Sequence, residues 1–334
     1  MNKSFNVAIV GATGAVGIEM LKVLEQRNFP VKNIKLLASS RSAGKTLTFK
    51  NKKYKVEVLD ENAFKGIDIA LFSAGASRSK EFAHYAVKAG AVVVDNSSAF
   101  RMDDEVPLVV PEVNPEDVKK HKGIIANPNC STIIMVVPVF PLHKAAGLKR
   151  LIASTYQAAS GAGAQAMIEL ETQSKQVLNG EQVVKEIFPH QIAFNIFPHI
   201  DVFTENDYTK EEMKMVFESR KIMHCYDLNV NCTCVRLPVF RAHSESLLLE
   251  FESDITPKDA RNILMKSPGV KLTDDVKNKI YPMPIDASGK DDVLVGRIRQ
   301  DISRNDKKGL SIFISGDQLL KGAALNAVQI AELL

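Results

Sequence analysis

Residues 5–17 read FNVAIVGATGAVG, an apolar run followed by three glycines spaced three residues apart. The run Phe5–Val10 has the length and composition of a buried strand, and an amphipathic helical pattern begins after Gly14. Glycines at these positions permit a tight turn, the close approach of a pyrophosphate and close helix–strand packing. The alternative is an ordinary glycine-rich turn, but the location at the first strand-to-helix connection favours a nucleotide loop. The predicted cofactor contacts in this loop are Gly11, Thr13, Gly14, Ala15, Val16 and Gly17.

The loop after the second predicted strand, residues 34–38, indicates which nucleotide binds. A site selective for NAD would place an acidic residue there, next to the ribose 2′-hydroxyl. This loop instead carries Ser39, Arg41 and Ser42. A guanidinium flanked by hydroxyls suits a 2′-phosphate, which a carboxylate would repel. The loop therefore predicts NADP, with these three residues as ligands; the alternative is a solvated basic loop.

The order of the predicted elements changes near the middle of the chain. In the first part, short apolar strands alternate with helical patterns, and this alternation predicts an α/β, Rossmann-type doubly wound parallel sheet. Further strands are expected at residues 69–72, 91–94, 108–110 and 123–126, with a helix at 80–89. After residue 130, strands such as 151–157, 229–236 and 247–251 mix with helices near 164–178, 210–221 and 257–265, and a last helix covers 319–334. The second part is therefore predicted to be α+β.

Composition limits the class of protein. The chain of 334 residues is long for one domain, so two are expected. Its net charge is +4 and its 43 basic residues are dispersed, which argues against nucleic acid as a partner. No apolar run is long enough to cross a bilayer, and the first strand begins too near Met1 to follow a signal peptide. Four cysteines in such a chain are typical of a reducing compartment, so we expect a cytoplasmic protein.

Three of the cysteines lie within ten residues of one another, which raises the question of a metal site. His224 directly precedes Cys225, and Cys232 and Cys234 follow on the next predicted strand. The three cysteines form no C-x-x-C pair, which is the chelating spacing that zinc sites usually use. Residues two apart on a strand share a face, so Cys232 and Cys234 are expected to be small core side chains. We therefore predict no bound metal.

The fourth cysteine lies in the string NPNCST, residues 127–132, between a short apolar strand and an apolar helical pattern. Cys130 is thus expected at a strand-to-helix turn, where Asn129 or Ser131 is available as the helix N-cap. Unpaired backbone N–H groups and the helix dipole lower the pKa of a thiol at such a position and stabilise a nearby oxyanion. A cysteine can also be an inert, buried hydrophobe. The nucleotide loop in the same half of the chain favours a nucleophile.

Three segments offer the partners that a thiolate needs. His243 follows the segment Pro238–Ala242, where a histidine could act as acid and base. Gln157 ends a predicted strand and precedes the loop Ser160-Gly161, which would let a flat ring approach the backbone. Arg101 lies just beyond the carboxyl end of another strand, where sites of α/β proteins gather.

Six dispersed strings occur in an order that closely resembles one family. GATGAVG, DNSSAFR, NPNCST, YQAASGAG, EEMK and RLPVFRAHSE together resemble aspartate-β-semialdehyde dehydrogenases, and the resemblance extends to the C-terminal KGAALNAVQIAELL. It implies a fold similar to glyceraldehyde-3-phosphate dehydrogenase. The expected domains are an NADP-binding domain of residues 1–128 and 318–334, and a catalytic and dimerisation domain of residues 129–317. The expected assembly is a homodimer, with a homotetramer as the alternative.

The resemblance also implies roles for individual residues. Cys130 would be the acyl-thioester nucleophile, His243 the general acid and base, and Gln157 the residue that orients the thioester carbonyl. The substrate-binding residues would be Asn129, Arg236 for the carboxylate, Glu211 for the ammonium group, and Arg101 with Lys214 for phosphate. The further NADP contacts would be Ser160, Gly161 and Gln318, where the family usually has asparagine. Pro138 inside the helix after the nucleophile predicts a kink.

The activity implied is the reversible, NADP-dependent reduction of L-4-aspartyl phosphate to L-aspartate 4-semialdehyde, in the biosynthesis of lysine, diaminopimelate, methionine and threonine. This chemistry needs a soft nucleophile, a proton donor, a hydride source and a cationic phosphate pocket. Two alternatives remain open. One is an enzyme similar to N-acetylglutamyl-phosphate reductase, in which a glutamate for an ammonium group would be misplaced. The other is a non-catalytic NADP and thiol sensor.

Overall fold

The computed structural model describes residues 4–334, and these residues form two compact units. The first unit contains the described residues up to Asn129 together with Ala323–Leu334, and the second contains Cys130–Gly322. The domain limits predicted from the sequence, 128/129 and 317/318, lie close to these divisions. The roles predicted for the two domains remain predictions at this point.

The first unit is built on a seven-stranded sheet in the order β3-β4-β2-β1-β5-β6-β7. All of its strand pairs are parallel except β3 with β4. The strands are β1 Phe5–Val10, β2 Val31–Ala38, β3 Thr46–Phe49, β4 Lys52–Val58, β5 Ile69–Phe72, β6 Val92–Asp95 and β7 Ile124–Ala126. Strand β5, between β1 and β6, is buried along its whole length, as expected for a parallel strand covered on both faces. The predicted doubly wound sheet is confirmed.

Two details of this sheet differ from the prediction. The apolar residues of the hairpin β3–β4 alternate with polar ones, but the turn between the strands contains no glycine that would mark it. Lys50 and Asn51 nevertheless both adopt positive φ, +47° and +61°, as a two-residue hairpin turn requires. The strand predicted at 108–110 is wrong, because only Leu108 forms a bridge there, with Ala126. These residues are buried by packing without joining the sheet as a strand.

The second unit contains a six-stranded mixed sheet in the order β11-β12-β13-β10-β8-β9. Its strands are β8 Leu148–Gln157, β9 Asn229–Arg236, β10 His243–Phe251, β11 Val270–Leu272, β12 Val293–Gln300 and β13 Gly309–Gly316. Strands β8 and β9 are parallel, whereas β10 is antiparallel to both β8 and β13. Mixed strand directions and interspersed helices confirm the predicted α+β architecture.

The helices of the two units differ in how much of their surface is covered. Helix α3, Cys130–Ala146, contacts β8, β10, β12 and β13, and it is apolar on nearly all sides, as a fully buried helix must be. It continues through Pro138 and Pro141 to Ala146. The other helices are α1 Ala15–Gln26, α2 Ala76–Lys88, α4 Ala164–Leu178, α5 Lys210–Met223, α6 Pro257–Leu264, α7 Pro284–Ala287 and α8 Leu325–Glu332.

The C-terminal segment is not the single α-helix that the sequence predicts. Residues Leu320–Ala324 form a π-helical turn before α8 begins. The Gly322 N–H accordingly donates to the carbonyl of Asp317, five residues earlier, at 3.0 Å. Among residues 4–334, no helix combines the length and apolar character needed to cross a membrane.

Candidate active site

The nucleotide loop borders a groove of about 430 Å³ in the first unit. Predicted cofactor residues that line it are Gly11, Thr13, Gly14, Ser39 and Arg41. Ala15, Val16 and Gly17 form the first turn of α1, and the Ser42 N–H closes a turn by donating to the Ser39 carbonyl at 2.9 Å. Lining residues that sequence reasoning missed are Ala38, Ser40, Val58, Leu59, Ser73, Ala74, Arg78 and Phe82. Several of these come from α2 and from the loop between β5 and α2, which only the strand order brings beside β1.

Two of the three loop glycines are required by close packing. A Cβ on Gly11 would lie 2.3 Å from the Ser73 carbonyl oxygen, and its φ is +88°, a conformation that other residues rarely adopt. A Cβ on Gly17 would lie 2.3 Å from the carbonyl oxygen of Gly11. Gly14 is less confined, since its nearest neighbour would be 3.3 Å away. The loop thus has the tight turn and close helix–strand packing expected of a pyrophosphate-binding loop.

Strand register in the second unit brings three predicted site residues side by side. Gln157 at the end of β8 is paired with Arg236 at the end of β9. Strand β10 is antiparallel to β8 and lies on the side of β8 away from β9. Ser244 of β10 is paired with Tyr156, so the preceding residue, His243, lies opposite Gln157. Opposite residues on neighbouring strands point to the same face of a sheet. Arg236, Gln157 and His243 therefore form one row, and each is at least nine-tenths buried.

His243 is fixed by a backbone hydrogen bond. The Ala158 N–H donates to Nδ1 at 3.1 Å, while Nε2 has no hydrogen-bond partner within residues 4–334. Burial of the ring, with Arg236 nearby, lowers the pKa of His243 to about 3. A neutral imidazole whose Nδ1 accepts must carry its proton on Nε2. His243 is thus a neutral ring whose Nε2–H is available as a donor.

Gly161 lies against this ring. A Cβ at this position would approach His243 Nε2 at 3.2 Å and Arg236 Nη1 at 3.1 Å. Real Cβ contacts are seldom so short, and both neighbours belong to the buried row. The absence of a side chain at Gly161 therefore leaves the space beside His243 and Arg236 open.

Arg236 is buried but only partly hydrogen-bonded within the described chain. Its Nη1 donates to the Ala158 carbonyl at 2.6 Å, its guanidinium carbon lies 5.6 Å from the centre of the Phe188 ring, and Nε has no partner there. Burial lowers the pKa of Arg236, and negative charge on Glu211 and Cys130 opposes this. A buried guanidinium with an unused donor is suited to a carboxylate.

Gln157 connects this row to an acidic residue on α5. Its Nε2 donates to Glu211 at 3.1 Å, and its Oε1 accepts from the Thr155 hydroxyl at 2.9 Å. Lys214 donates to the other Glu211 oxygen at 3.0 Å and to Asp201 at 2.8 Å. Burial alone would lower the pKa of Lys214, but the two carboxylates outweigh it and raise the pKa. Thr155 and Asp201 were missed, because neither lies in a string with a chemical signature.

The thiols have different surroundings. Cys130 is half-buried and begins α3, as predicted, and a Cβ on Gly322 would lie 2.9 Å from its own Cβ. Cys232 and Cys234 are buried on β9, which confirms that they are core side chains. Burial raises the pKa of both thiols. Among the four cysteines, Cys130 therefore has the position expected of a nucleophile.

Two further buried side chains lie on the same sheet or beside it. Both carboxylate oxygens of Glu245, two residues after His243, lack a partner in the described chain, and burial raises the pKa of this carboxyl well above its usual value. Gln318 accepts from the Ala242 N–H at 2.8 Å and donates to the Ser160 hydroxyl. The sequence predicts neither the buried carboxyl of Glu245 nor the two hydrogen bonds of Gln318. The first depends on strand register, and the second depends on loops that are distant in sequence.

The remaining predicted substrate residues belong to the first unit. Arg101 is buried and donates through Nε to the Asn127 carbonyl and through Nη2 to the Asn96 carbonyl, each at 3.0 Å. Asn129 is also buried, immediately before Cys130. The structure thus brings Gln157, Glu211, Lys214, Arg236 and His243 together in the second unit, and it anchors Arg101 within the first.

Both halves of the chain match known protein families. The family model described as semialdehyde dehydrogenase, NAD binding domain, matches residues 6–121. The model described as semialdehyde dehydrogenase, dimerisation domain, matches residues 139–321.

Relatives and solved structures agree with these matches. The chain is 60% identical to aspartate-semialdehyde dehydrogenase of Aquifex aeolicus (strain VF5), covering 99% of this chain and 98% of that one. It is 56% identical to the Synechocystis enzyme of the same name, covering 100% of this chain and 98% of that one. Aspartate semialdehyde dehydrogenase II of Vibrio cholerae, solved complexed with ASA, superposes with a TM-score of 0.97 at 48% identity, covering 100% of this chain and 98% of that one. These matches confirm the resemblance seen in the motifs: the chain belongs to the aspartate-semialdehyde dehydrogenase family.

Proposed function

We propose that this protein catalyses the reversible, NADP-dependent conversion of L-4-aspartyl phosphate to L-aspartate 4-semialdehyde through a thioester on Cys130. The observation that carries the proposal is the buried row of Arg236, Gln157 and His243, joined to Glu211 through the Gln157 amide. The row and Glu211 together combine a guanidinium, a carboxylate and a neutral proton-bearing ring in the unit whose helix α3 begins with Cys130.

The charges of the row fit an amino-acid substrate. We assign the α-carboxylate to Arg236, whose Nε is an unused donor, and the ammonium group to Glu211. Lys214 stays protonated because Glu211 and Asp201 raise its pKa, so it supplies a positive charge for phosphate together with Arg101. A neutral acetamido group would form no ion pair with Glu211, which disfavours N-acetylglutamyl phosphate as the substrate.

The groove of the first unit fits a dinucleotide. Gly11 has a positive φ, and a Cβ there would collide with the Ser73 carbonyl, as in a loop that must stay compact beside a pyrophosphate. Ser39 and Arg41 line the groove where the 2′-phosphate would lie, and Gly14 is available to the pyrophosphate. Bound NADPH supplies the hydride that reduces the thioester. We therefore assign NADP binding to the first unit, and catalysis and dimerisation to the second.

The chain's own residues carry the covalent step. The Cys130 sulfur attacks C4 of aspartyl phosphate, the new S–C bond replaces the C–O bond to phosphate, and the thiol proton ends on the departing phosphate. Helix α3 begins at Cys130, so the positive end of its dipole stabilises the thiolate. In the aldehyde direction, the Cys130 thiol adds to the carbonyl and its proton moves to the new hydroxyl oxygen. Oxidation of this adduct to the thioester would transfer hydride to NADP and release the hydroxyl proton to solvent, and phosphate would then cleave the S–C bond and free the sulfur.

His243 supplies a hydrogen bond to the reacting oxygen in this mechanism. With Nδ1 accepting from Ala158, Nε2–H donates and cannot take the thiol proton. We assign it to the carbonyl oxygen, which becomes negative as sulfur adds, and we assign the orientation of that carbonyl to Gln157. A full acid–base role for His243 requires the other tautomer, with the Ala158 contact broken.

The same proposal includes the setting of the enzyme. The matched dimerisation domain supports a homodimer, and light scattering should give twice the chain mass of 36.8 kDa; a fourfold mass would indicate the homotetramer. The membership of an amino-acid biosynthetic family and the absence of any disulfide among the described cysteines support a cytoplasmic location.

One assay tests the activity. L-Aspartate 4-semialdehyde should reduce NADP at 340 nm only when phosphate is present, because phosphate must cleave the thioester in every turnover. Turnover with N-acetylglutamate semialdehyde and not with aspartate semialdehyde would overturn the substrate assignment. NADP binding without any phosphate-dependent turnover would instead support the non-catalytic sensor.

A further inference from the structure

Ala242, the residue before His243, has an unusual backbone conformation. Its φ is +72°, in the left-handed region that non-glycine residues rarely adopt, and the residue is fully buried. Such a conformation persists only where surrounding contacts hold it. Ala242 packs against Ala287 and Leu294, and its N–H donates to Oε1 of Gln318 at 2.8 Å.

The nitrogen of the same Gln318 amide binds the loop that contacts the His243 ring. Nε2 of Gln318 donates to the hydroxyl of Ser160, which is also buried. Ser160 belongs to the segment Ala158–Gly161, whose first residue donates to His243 Nδ1 and whose last residue lies against Nε2. Two backbone hydrogen bonds also join this loop to the segment before His243, from the Ala159 N–H to the Val239 carbonyl and from the Ser160 N–H to the Phe240 carbonyl. The Gln318 side chain adds the connection at Ala242, the residue adjacent to His243.

The backbone at Gln318 is held in place by hydrogen bonds of the preceding residue, Asp317. The buried carboxylate of Asp317 accepts from Arg241 Nε at 2.7 Å and from the Gly289 N–H at 2.6 Å. Its other oxygen accepts from the N–H groups of Leu319 and Leu320. The backbone at residue 318 is therefore fixed, and the length of a glutamine side chain is what reaches both Ala242 and Ser160.

We propose that Gln318 is a positioning residue that holds the His243 ring in its Nε2–H form by joining Ala242 to Ser160. This inference rests on the proposed function for its kinetic consequence, and it differs from the role of cofactor ligand that the sequence predicts for Gln318. Loss of the amide should let Ala242 and the loop relax, so that Ala158 no longer fixes Nδ1. A ring displaced by about 1 Å in an active site costs on the order of a hundredfold in rate.

The test replaces Gln318 by methionine, which keeps the length of the side chain but makes neither hydrogen bond. The expected result for Gln318→Met is a fall in kcat of about a hundredfold, with the dissociation constant for NADPH little changed. Ser160→Ala, which removes one arm and keeps the Ala242 contact, should give an intermediate kcat. Gln300→Met is the matched control, since the Gln300 amide donates to the Gly309 carbonyl away from the row, and it should behave as the wild type.

A spectroscopic readout requires neither substrate nor nucleotide. Ring ¹⁵N NMR of histidine-labelled protein, with His243→Asn for assignment, should give the Nε2–H pattern for His243 in the wild type and in Gln300→Met. In Gln318→Met that pattern should be lost or averaged between tautomers. A wild-type ring pattern in both Gln318→Met and Ser160→Ala would overturn the proposal, as would a raised NADPH dissociation constant with unchanged kcat. Absence of turnover in the wild type would overturn the proposed function, while the NMR result would still decide the role of Gln318.

Discussion

The backbone N–H of Ala158 donates a hydrogen bond to Nδ1 of His243 at 3.1 Å. An N–H group can only donate, so this single contact determines the tautomer of the buried ring. It makes Nε2 a donor and explains why a ring with a pKa of about 3 can still be useful at neutral pH. His243 can stabilise negative charge on oxygen without being positively charged itself.

The low pKa of His243 predicts how stability depends on pH. The folded ring stays neutral down to about pH 3, whereas the unfolded ring takes up a proton below about pH 6.5. As the pH is lowered from about 6.5 to about 3, this group should therefore reduce the free energy of unfolding by about 1.4 kcal/mol per pH unit. The difference in free energy of unfolding between the wild type and His243→Asn, measured by urea unfolding, should show this slope. The exposed His84→Asn is the control, and an equal slope for His84 would contradict the assignment.

Removal of the nucleophile should separate chemistry from cofactor binding. Cys130→Ala should lower turnover by at least about 10³-fold, because no other group can form the thioester. NADP affinity should be nearly unchanged, since the nucleotide groove belongs to the first unit and Cys130 begins the second. Cys225→Ala, which removes another half-buried thiol, should keep full activity. Substantial phosphate-dependent turnover in Cys130→Ala would exclude the covalent mechanism.

Nucleotide selectivity should depend on Arg41. Arg41→Ala should weaken NADP binding by roughly 1–3 kcal/mol, the usual cost of losing a charge-assisted hydrogen bond, and should hardly affect NAD. Calorimetric titration of both nucleotides measures the two effects. Arg27→Ala removes an arginine that pairs with Glu332 outside the groove and should change neither affinity. Equal losses for NADP and NAD in Arg41→Ala would mean that Arg41 does not contact the 2′-phosphate.

The two substrate arginines should respond differently to lysine. Arg236→Lys removes the forked guanidinium, so the side chain loses either the hydrogen bond to the Ala158 carbonyl or the donor that we assign to the substrate carboxylate. The KM for aspartate semialdehyde should therefore rise roughly tenfold to a hundredfold. In Arg101→Lys the guanidinium anchors on Asn96 and Asn127 are lost, and the KM for phosphate should rise instead. Steady-state kinetics with each substrate varied in turn separates the effects. The opposite pattern would exchange the two assignments.

The sequence predicts the elements of this site better than their arrangement. Cys130 was expected at the start of a helix, because an apolar strand and an apolar helical pattern flank it, and α3 begins there. The hairpin β3–β4 was missed, because its charged residues hide an alternation that depends on the turn at Lys50 and Asn51. The row of Arg236, Gln157 and His243 follows from strand register between segments far apart in sequence, which no local pattern specifies. The left-handed Ala242 and its tie to Gln318 depend in the same way on tertiary contacts.

The distribution of the thiols has a practical consequence for spectroscopy. Cys232 and Cys234 are sealed in the core, and burial raises their pKa, so both should be inert to alkylating dyes in the native protein. Replacing only Cys225 by serine would then leave Cys130 as the single reactive site, without any change to the interior. A fluorophore attached there would sit at the start of α3, block the nucleophile and report changes in its surroundings, such as local unfolding, in a chain that is otherwise unmodified.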